Sequence, residues 1–535
     1  MLHFLIGLVI VLPMLAGVVV FFLPFRSRKH MEVFLMSMVV LTSVLVWYLI
    51  LRESVESFVV VYFTGNLQIK LEMDGLSKVF AGLISVLWPF STLYSFEYMK
   101  HEKHEKVFFL FYTVTYGVTL GIALAGNLLT MYFFYELLTL STVPLVIHTL
   151  SREAILAARK YLYYSLGGAA FGFIALIFSI VYGDGQSFTY GGILDMTLIG
   201  DRAGLLQLVY VLAFFGFGVK AAVCPFNSWL PDAGVAPTPV TALLHAVAVV
   251  KAGAFAIIRL TYYVYGADFL KETPAQYVVM AAAVFTILYG SVRALKQTHF
   301  KRRLAYSTIA NMSYILFGVT LMSPLGLAGA LCHLIYHAMI KIVAFFCAGA
   351  VITQTGKTYI YELDGLGRRM SVVFGAFTVA GLALLGMPGT AGFVSKWELI
   401  RAAFDNGMPL ATAGVVALLI SALLTSVYML SIPVRAFFPA KDLMGSSFGG
   451  AGEADAAAID QVKEDGTAVI SEVKVREAGV DSNGKKADAA ETGRVTDPGW
   501  HMLMPILVFA ALIVVCGVHS GPIVELLEQI AAGAM

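Results

Sequence analysis

Charged residues are scarce in this sequence. Asp, Glu, Lys and Arg make up 13% of its 535 residues, where a soluble domain carries roughly a quarter, while 59% are hydrophobic and the mean hydropathy is +0.82. That excludes an ordinary soluble protein and implies a polytopic membrane chain. Cysteine is scarcer still. Cys224, Cys332, Cys347 and Cys516 all lie in apolar segments, with no CxxC or CxxxC spacing, which argues against iron–sulfur, zinc or a disulfide framework and reads them as small core residues. No cofactor or metal is expected. Blocks of basic residues interleaved with aromatics are also missing, and the net charge is only +2, so nothing points to a nucleic-acid partner. The first apolar run ends at Arg26, Arg28 and Lys29 without a small-residue cleavage site; it reads as a retained helix rather than a signal peptide.

What the sequence has in quantity is long apolar runs. With about 20 residues needed to cross a bilayer, fourteen spans are predicted, near 2–24, 31–51, 76–98, 107–125, 127–149, 161–183, 205–227, 238–264, 275–295, 303–322, 325–352, 371–403, 410–438 and 501–519. Loops after odd-numbered spans carry RSRK (26–29), KHEKHEK (100–106), SREAILAARK (151–160), KQTHFKRR (296–303) and Arg368–Arg369. Those after even-numbered spans carry only Arg52, Lys70, Arg202 and Lys271. By the positive-inside rule the first set is cytoplasmic, which puts both termini outside a prokaryotic cytoplasmic membrane. Residues 440–499, with twelve acidic and seven basic residues, are too polar to bury a core and read as a cytoplasmic insertion. Within it AVISEVKVRE (468–477) alternates like a strand or hairpin.

Against that background a few ionisable residues fall where hydrocarbon should be. They are Glu136 in YELLTLSTVPL, Lys220 in FFGFGVKAAVCPF, His245 and Lys251 in TALLHAVAVVKAGAF, His333, His337 and Lys341 in HLIYHAMIKIVAFF, and Lys396 in GMPGTAGFVSKWEL. Each costs about 2.5–3.5 kcal/mol at the bilayer centre on insertion scales, so each calls for a partner or a role. His333, His337 and Lys341 recur at i, i+4 and i+8, a ladder on one helix face suited to proton relay. The HxxxH pair could chelate a metal, but no third ligand is evident. Lys220 is followed by Pro225, and Lys396 is preceded by Pro388–Gly389, so spans 7 and 12 should be broken near mid-membrane. They lie five spans apart, and a five-helix unit, being odd, repeats inverted, with an ion path at its interface.

Together with KAAVCPFNSWLPDA, APTPVTALLHAVAVVKAGAF, KRRLAYSTIANMSYILFG and HLIYHAMIKIVAFFCAG, these runs resemble the antiporter-like subunits shared by Mrp cation/proton antiporters, respiratory complex I and membrane-bound hydrogenases. The resemblance covers roughly residues 75–435. It implies an all-α fold of fourteen core helices, with inverted units of helices 4–8 (107–264) and 9–13 (275–438) between an N-terminal part (1–106), the insertion (440–499) and helix 14 with its tail (500–535). It also implies a hydrated row of charge in the membrane plane. Glu136 matches the family's helix 5 glutamate, Lys220 the helix 7 lysine, Lys251 the helix 8 lysine with His245 in the same motif, His333, His337 and Lys341 the helix 11 row, and Lys396 the charge of broken helix 12. A glutamate stands at the last position in one complex I subunit, so lysine makes this chain look more like the Mrp D-type. Departures are Asn227 and Asn311, where relatives often have histidine, and the lack of a long lateral helix after span 14. The expected function is a proton-translocating subunit of a multisubunit ion-pumping complex. Its partners would be other membrane subunits, protons, the lipid bilayer and, left open, Na⁺. The alternatives are an autonomous proton-coupled carrier of a small solute, and a membrane-embedded enzyme, for which no acid pair is evident.

Overall fold

The computed structural model describes residues 2–52, 55–63, 67–439 and 496–534. Most of the 440–499 insertion, with its AVISEVKVRE segment, lies outside the described residues. Every predicted span has its helix. These are α1 (Leu2–Phe22), α2 (Arg28–Ile50), α3 (Gly75–Tyr98), α4 (Glu105–Ala123), α5 (Leu128–Val146), α6 (Arg152–Tyr182), α7 (Ala203–Gly218), α8 (Thr238–Tyr265), α9 (Pro274–Leu295), α10 (Phe300–Thr320), α11 (Pro324–Thr355), the split pair α12a (Ser371–Leu385) and α12b (Ala391–Asn406), α13 (Pro409–Phe437) and α14 (Trp500–Val518). Twelve of them are long and apolar enough to cross a membrane, the seventh when taken with the turns before it as Met196–Gly218. The exceptions are α10, whose first turn carries Lys301, Arg302 and Arg303, and the halves of the twelfth.

Helix starts follow local chemistry. Ser27, Asp74, Asn127, Ser151 and Ser323 cap α2, α3, α5, α6 and α11 by accepting from a backbone N–H of the first turn, and Pro274, Pro324 and Pro409 open α9, α11 and α13. Burial then sorts the helices. α8 is wholly enclosed and α11 nearly so, while α1, α2, α6 and α14 turn most of their apolar surface outward. α10 is buried along its whole length apart from Arg302, so the three helices that bring His245, Lys251, His333, His337 and Lys341 together are well shielded from lipid.

Contacts between loops divide the protein into two ends. At one, Arg28 Nε bonds Glu105 at 2.9 Å, Asp232 pairs with Lys160 (2.8 Å) and Arg302 (3.1 Å), Phe300 N–H donates to Thr358 O (2.9 Å), Arg435 pairs with Asp364 (2.9 Å), and Gly499 N–H donates to Glu97 (2.8 Å). All seven loops following odd-numbered spans are joined through these contacts or contribute to them, and the basic clusters therefore share this end. At the other, a hairpin of β1 (Phe58–Tyr62) and β2 (Gln68–Leu71) meets the α4–α5 turn through Gly126 N–H to Lys70 O (2.9 Å), and Phe188 N–H in the α6–α7 loop donates to Gly126 O (2.9 Å). Phe4 packs on Phe58, and Tyr190 Oη donates to Ala531 O, so both chain ends are at the hairpin end. The hairpin and an amphipathic last helix, α15 (Gly521–Ala531), were not expected. The helix buries Leu527, Ile530 and Ala531 on one face, and neither element is long enough to register as a span.

Two glycines allow close backbone approaches beside the breaks. A β-carbon on Gly253 of α8 would fall on the backbone of Ala221 and 2.9 Å from the carbonyl carbon of Lys220. One on Gly392 would lie 2.7 Å from the carbonyl carbon of Ala383. Gly253→Val therefore forces α8 off the bend after α7, at about 1–3 kcal/mol for overpacking, and is expected to lower the melting temperature of the detergent-solubilised protein. At the basic end, burial first, and then Lys301 and Arg302, push the His299 pKa down from 6.5 to about 4. The unfolded chain then binds the extra proton between those values, so stability falls as pH drops through that window. His299→Gln should flatten the loss of thermal stability between about pH 7 and about pH 5.

Candidate functional site: a buried row of charge

A helix that ends inside a membrane leaves carbonyls that water cannot reach, and the break after α7 answers each of them. Tyr135 Oη donates to Phe217 O (3.2 Å), Val223 N–H to Gly218 O (2.9 Å) and Trp229 Nε1–H to Val219 O (2.8 Å). The helix stops at Gly218, so Lys220 lies within the break rather than on the helix ahead of it. Pro225 lacks the N–H that would bond Ala221 O and its ring would crowd that carbonyl, so the last regular turn closes upstream of it. Fully buried, Lys220 Nζ is 3.8 Å from Glu136 Oε1, donates to Tyr135 O at 2.5 Å, and lies 3.3 Å from the centre of the Tyr135 ring. Glu136 itself is part-exposed on α5.

The break between α12a and α12b uses a different partner. Gly386 and Met387 N–H groups take the carbonyls of Leu382 and Ala383, and Lys396 reaches back from α12b to donate to Leu384 O (2.6 Å) and Leu385 O (2.8 Å). Its ammonium thus rests on the negative end of the α12a dipole. Pro388 and Gly389 lie in the connecting turn.

Between the two breaks runs a row on α8, α10 and α11. Lys251 Nζ is 2.6 Å from His337 Nδ1 and 3.4 Å from Met312 Sδ. The His337 and His333 rings are 5.7 Å apart, His333 Nδ1 is 2.9 Å from Ser395 Oγ, and Tyr314 packs between His333 (5.2 Å) and the Lys396 ammonium (5.4 Å). From Lys251 to Lys396 the groups form one contact series. Two predicted members stand beside it. Lys341 turns to α10, donating to Leu304 O (3.0 Å) and bonding Ser307 Oγ, and His245 stacks on Phe345 (4.7 Å) within a π-helical turn, Leu243–Val247, making no hydrogen bond to protein. No direct bond joins the Glu136–Lys220 pair to Lys251; the Gly253 backbone abuts the Lys220–Ala221 backbone instead. His337 Nδ1 faces the Lys251 amine and His333 Nδ1 the Ser395 hydroxyl. The sequence reading missed Tyr135, Tyr314, Ser307 and Ser395. Tyr135 and Ser395 are chain neighbours of Glu136 and Lys396, which was the available signal.

The transmembrane family described as NADH:quinone oxidoreductase/Mrp antiporter matches residues 125–425, more than half of the chain and the segment that holds every one of these groups. The chain belongs to this family. It is 31% identical over 380 residues to the NADH-quinone oxidoreductase subunit N of Desulforudis audaxviator, covering 69% of this chain and 73% of that one, and 28% identical over 449 residues to an NAD(P)H-quinone oxidoreductase chain 4 of Trichodesmium erythraeum, covering 80% and 77%. Its fold is shared with a chain of the archaeal membrane-bound sulfane sulfur reductase (TM-score 0.78, 21% identity, 98% of this chain and 97% of that one). It is also shared with a chain of respiratory complex I from Thermus thermophilus (0.74, 20%, 98% and 98%) and with one of the Mrp complex from Dietzia sp. (0.78, 21%, 98% of this chain and 52% of that one). It is a multi-pass, antiporter-like membrane subunit, and the resemblance carried by the six motifs holds.

Ser395 supplies the test of the site. Ser395→Ala leaves the buried His333 Nδ1 without its partner, at about 1–3 kcal/mol, and is expected to slow ion-coupled transport in membrane vesicles. Ser395→Thr, which keeps the hydroxyl, should restore it.

Proposed function

We propose that the chain moves protons through the plane of the membrane along Glu136, Lys220, Lys251, His337, His333 and Lys396, with His245 and Lys341 as side members, as one subunit of a multisubunit ion-pumping complex. The observation that carries this reading is the contact series from Lys251 to Lys396 across the enclosed helices α8, α10 and α11 to α12b. Desolvation disfavours a buried ammonium and a neighbouring carboxylate favours it. Separation of Glu136 from Lys220 would accordingly release the Lys220 proton inward, and its return would restore the pair. Buried polar atoms with no protein partner on the same helices, His245 Nδ1 and Nε2, Asn311 Oδ1, His333 Nε2 and His337 Nε2, favour internal water as the link between side chains. The Lys220-to-Lys251 step needs such a link.

Two five-helix units, 107–264 and 275–438, related by inversion, are part of the proposal. In support, the broken helix is the fourth of each set. The basic end is assigned to the cytoplasm by its Lys and Arg content, which puts both termini and the hairpin outside. Partners are assigned as further membrane subunits of an Mrp-type or redox-driven complex, because the similar chains named above are parts of such assemblies. Na⁺ exchange belongs to the Mrp form of the proposal. A self-sufficient solute carrier would need a compact midplane pocket, whereas the polar groups here are strung out in a line.

Lys220→Ala and Glu136→Gln are each expected to lower ion-coupled transport by at least about tenfold, the equivalent of one lost charged interaction of about 1.4 kcal/mol or more. Assembly into the complex should be unchanged. Dye quenching in everted vesicles measures the first and copurification the second. Full coupling in either variant rules the reading out.

A further inference from the structure

Arg259 is the largest buried charge that the proton row does not use. It lies on α8, the helix of Lys251, and is 1% exposed. Its guanidinium clasps Asp74 with both ends, Nη1 to Oδ2 at 2.5 Å and Nη2 to Oδ1 at 2.7 Å, and Nη2 also reaches Ser77 Oγ at 2.9 Å. Three rings enclose it: Tyr263 at 4.5 Å, Phe188 at 4.8 Å and Phe255 at 5.3 Å. Asp74 caps α3 directly below the hairpin, and its side chain is 28% exposed at that end.

The spacing is what gives this pair a function. Lys251, Phe255 and Arg259 are separated by four residues each, so they stack on one face of α8 about 12 Å from first to last. Phe255 between them is stacked on Phe80, with ring centres 4.7 Å apart. From the hairpin end to the middle of the row, one line of contacts therefore runs from Asp74 through Arg259 and the Phe80–Phe255 stack towards Lys251. A carboxylate at its mouth is a natural place for a proton or cation to enter. The next group inward is one that does not give up its proton under any working condition, and it already occupies both carboxylate oxygens.

We infer that Arg259 is a seal: a fixed, non-titrating cation, held in place by Asp74, that stops protons from short-circuiting between the hairpin end and Lys251. The essential property is the guanidinium charge, and Asp74 positions it. The two partners are therefore unequal. Loss of Arg259 opens the line. Loss of the Asp74 charge leaves the cation in its aromatic cage and the line closed. A pair that serves only to hold α3 against α8 would instead respond alike to either change.

This inference rests on the proposed role of Lys251, and the experiment separates the two. The full chain with its native membrane partners is placed in liposomes, a pH gradient is imposed without driving the complex, and its passive decay is followed with a pH-sensitive dye. Arg259→Lys, which puts a titratable ammonium in the line, is expected to discharge the gradient roughly tenfold faster than the unaltered protein. Asp74→Asn should hold the gradient. The double variant Arg259→Gln with Asp74→Asn keeps an amide pair without the charge and should leak, which covers the case in which Arg259→Lys does not assemble. Adding Lys251→Met to a leaky variant should close it. Equal leakage from Asp74→Asn and the Arg259 variants, tight Arg259 variants, or a leak indifferent to Lys251→Met would each overturn the seal. None of these outcomes depends on the driven transport by which Lys220→Ala tests the proton row itself.

Discussion

A membrane helix that stops halfway must find partners for its last carbonyls where water is absent, and the rest of this structure is arranged around two such stops. At α7 the partners are a tyrosine hydroxyl, an indole N–H and one backbone amide. At α12a they are backbone amides and the Lys396 ammonium itself. The breaks that look like defects in the apolar pattern are what create space and polarity at mid-membrane. α8 and α11 are enclosed because they run between the two breaks, and their lysines and histidines are protected from lipid by the same packing.

The loops serve this arrangement from both ends. Ion pairs and short backbone bridges lock the odd loops to one another, and the hairpin, the α6–α7 loop and α15 do so at the far end. Individual exposed pairs of this kind are worth little, about 0–1 kcal/mol. Their joint effect is geometric: they hold the tops and bottoms of helices whose middles are interrupted.

Much of this was legible from residue types. Fourteen apolar runs, the alternation of basic loops, and the proline and glycine beside Lys220 and Lys396 are all one-dimensional signals, and each produced an element close to its expected place. What escaped depends on rotamer and on pairing across the chain. The i, i+4, i+8 ladder places His333, His337 and Lys341 on one face, yet Lys341 bends to α10, where the Leu304 carbonyl and the Ser307 hydroxyl accept from it. Lys220 was expected on a helix and lies in its break, since the helix already stops at Gly218, seven residues before Pro225. Ser395 and Tyr314, which connect His333 to Lys396, are unremarkable residue types whose meaning comes only from their neighbours. The hairpin was invisible because its strands are short and its partner strand lies beyond a turn. Arg259 was not singled out, because nothing in the sequence near it announces Asp74, 185 positions away.

The two terminal lysines of the row differ in what holds them. Lys220 bonds one main-chain carbonyl, that of Tyr135, but also faces a side-chain carboxylate, which has rotamers and can itself take up a proton. Lys396 faces main-chain carbonyls, which can neither swing aside nor titrate while α12a stays folded. One terminus has an adjustable counter-charge and the other a permanent one. On the proposed proton path, such a line is polarised before any gradient is applied: a disturbance that enters by rearranging a partner begins at the Glu136 side, and the far side answers it.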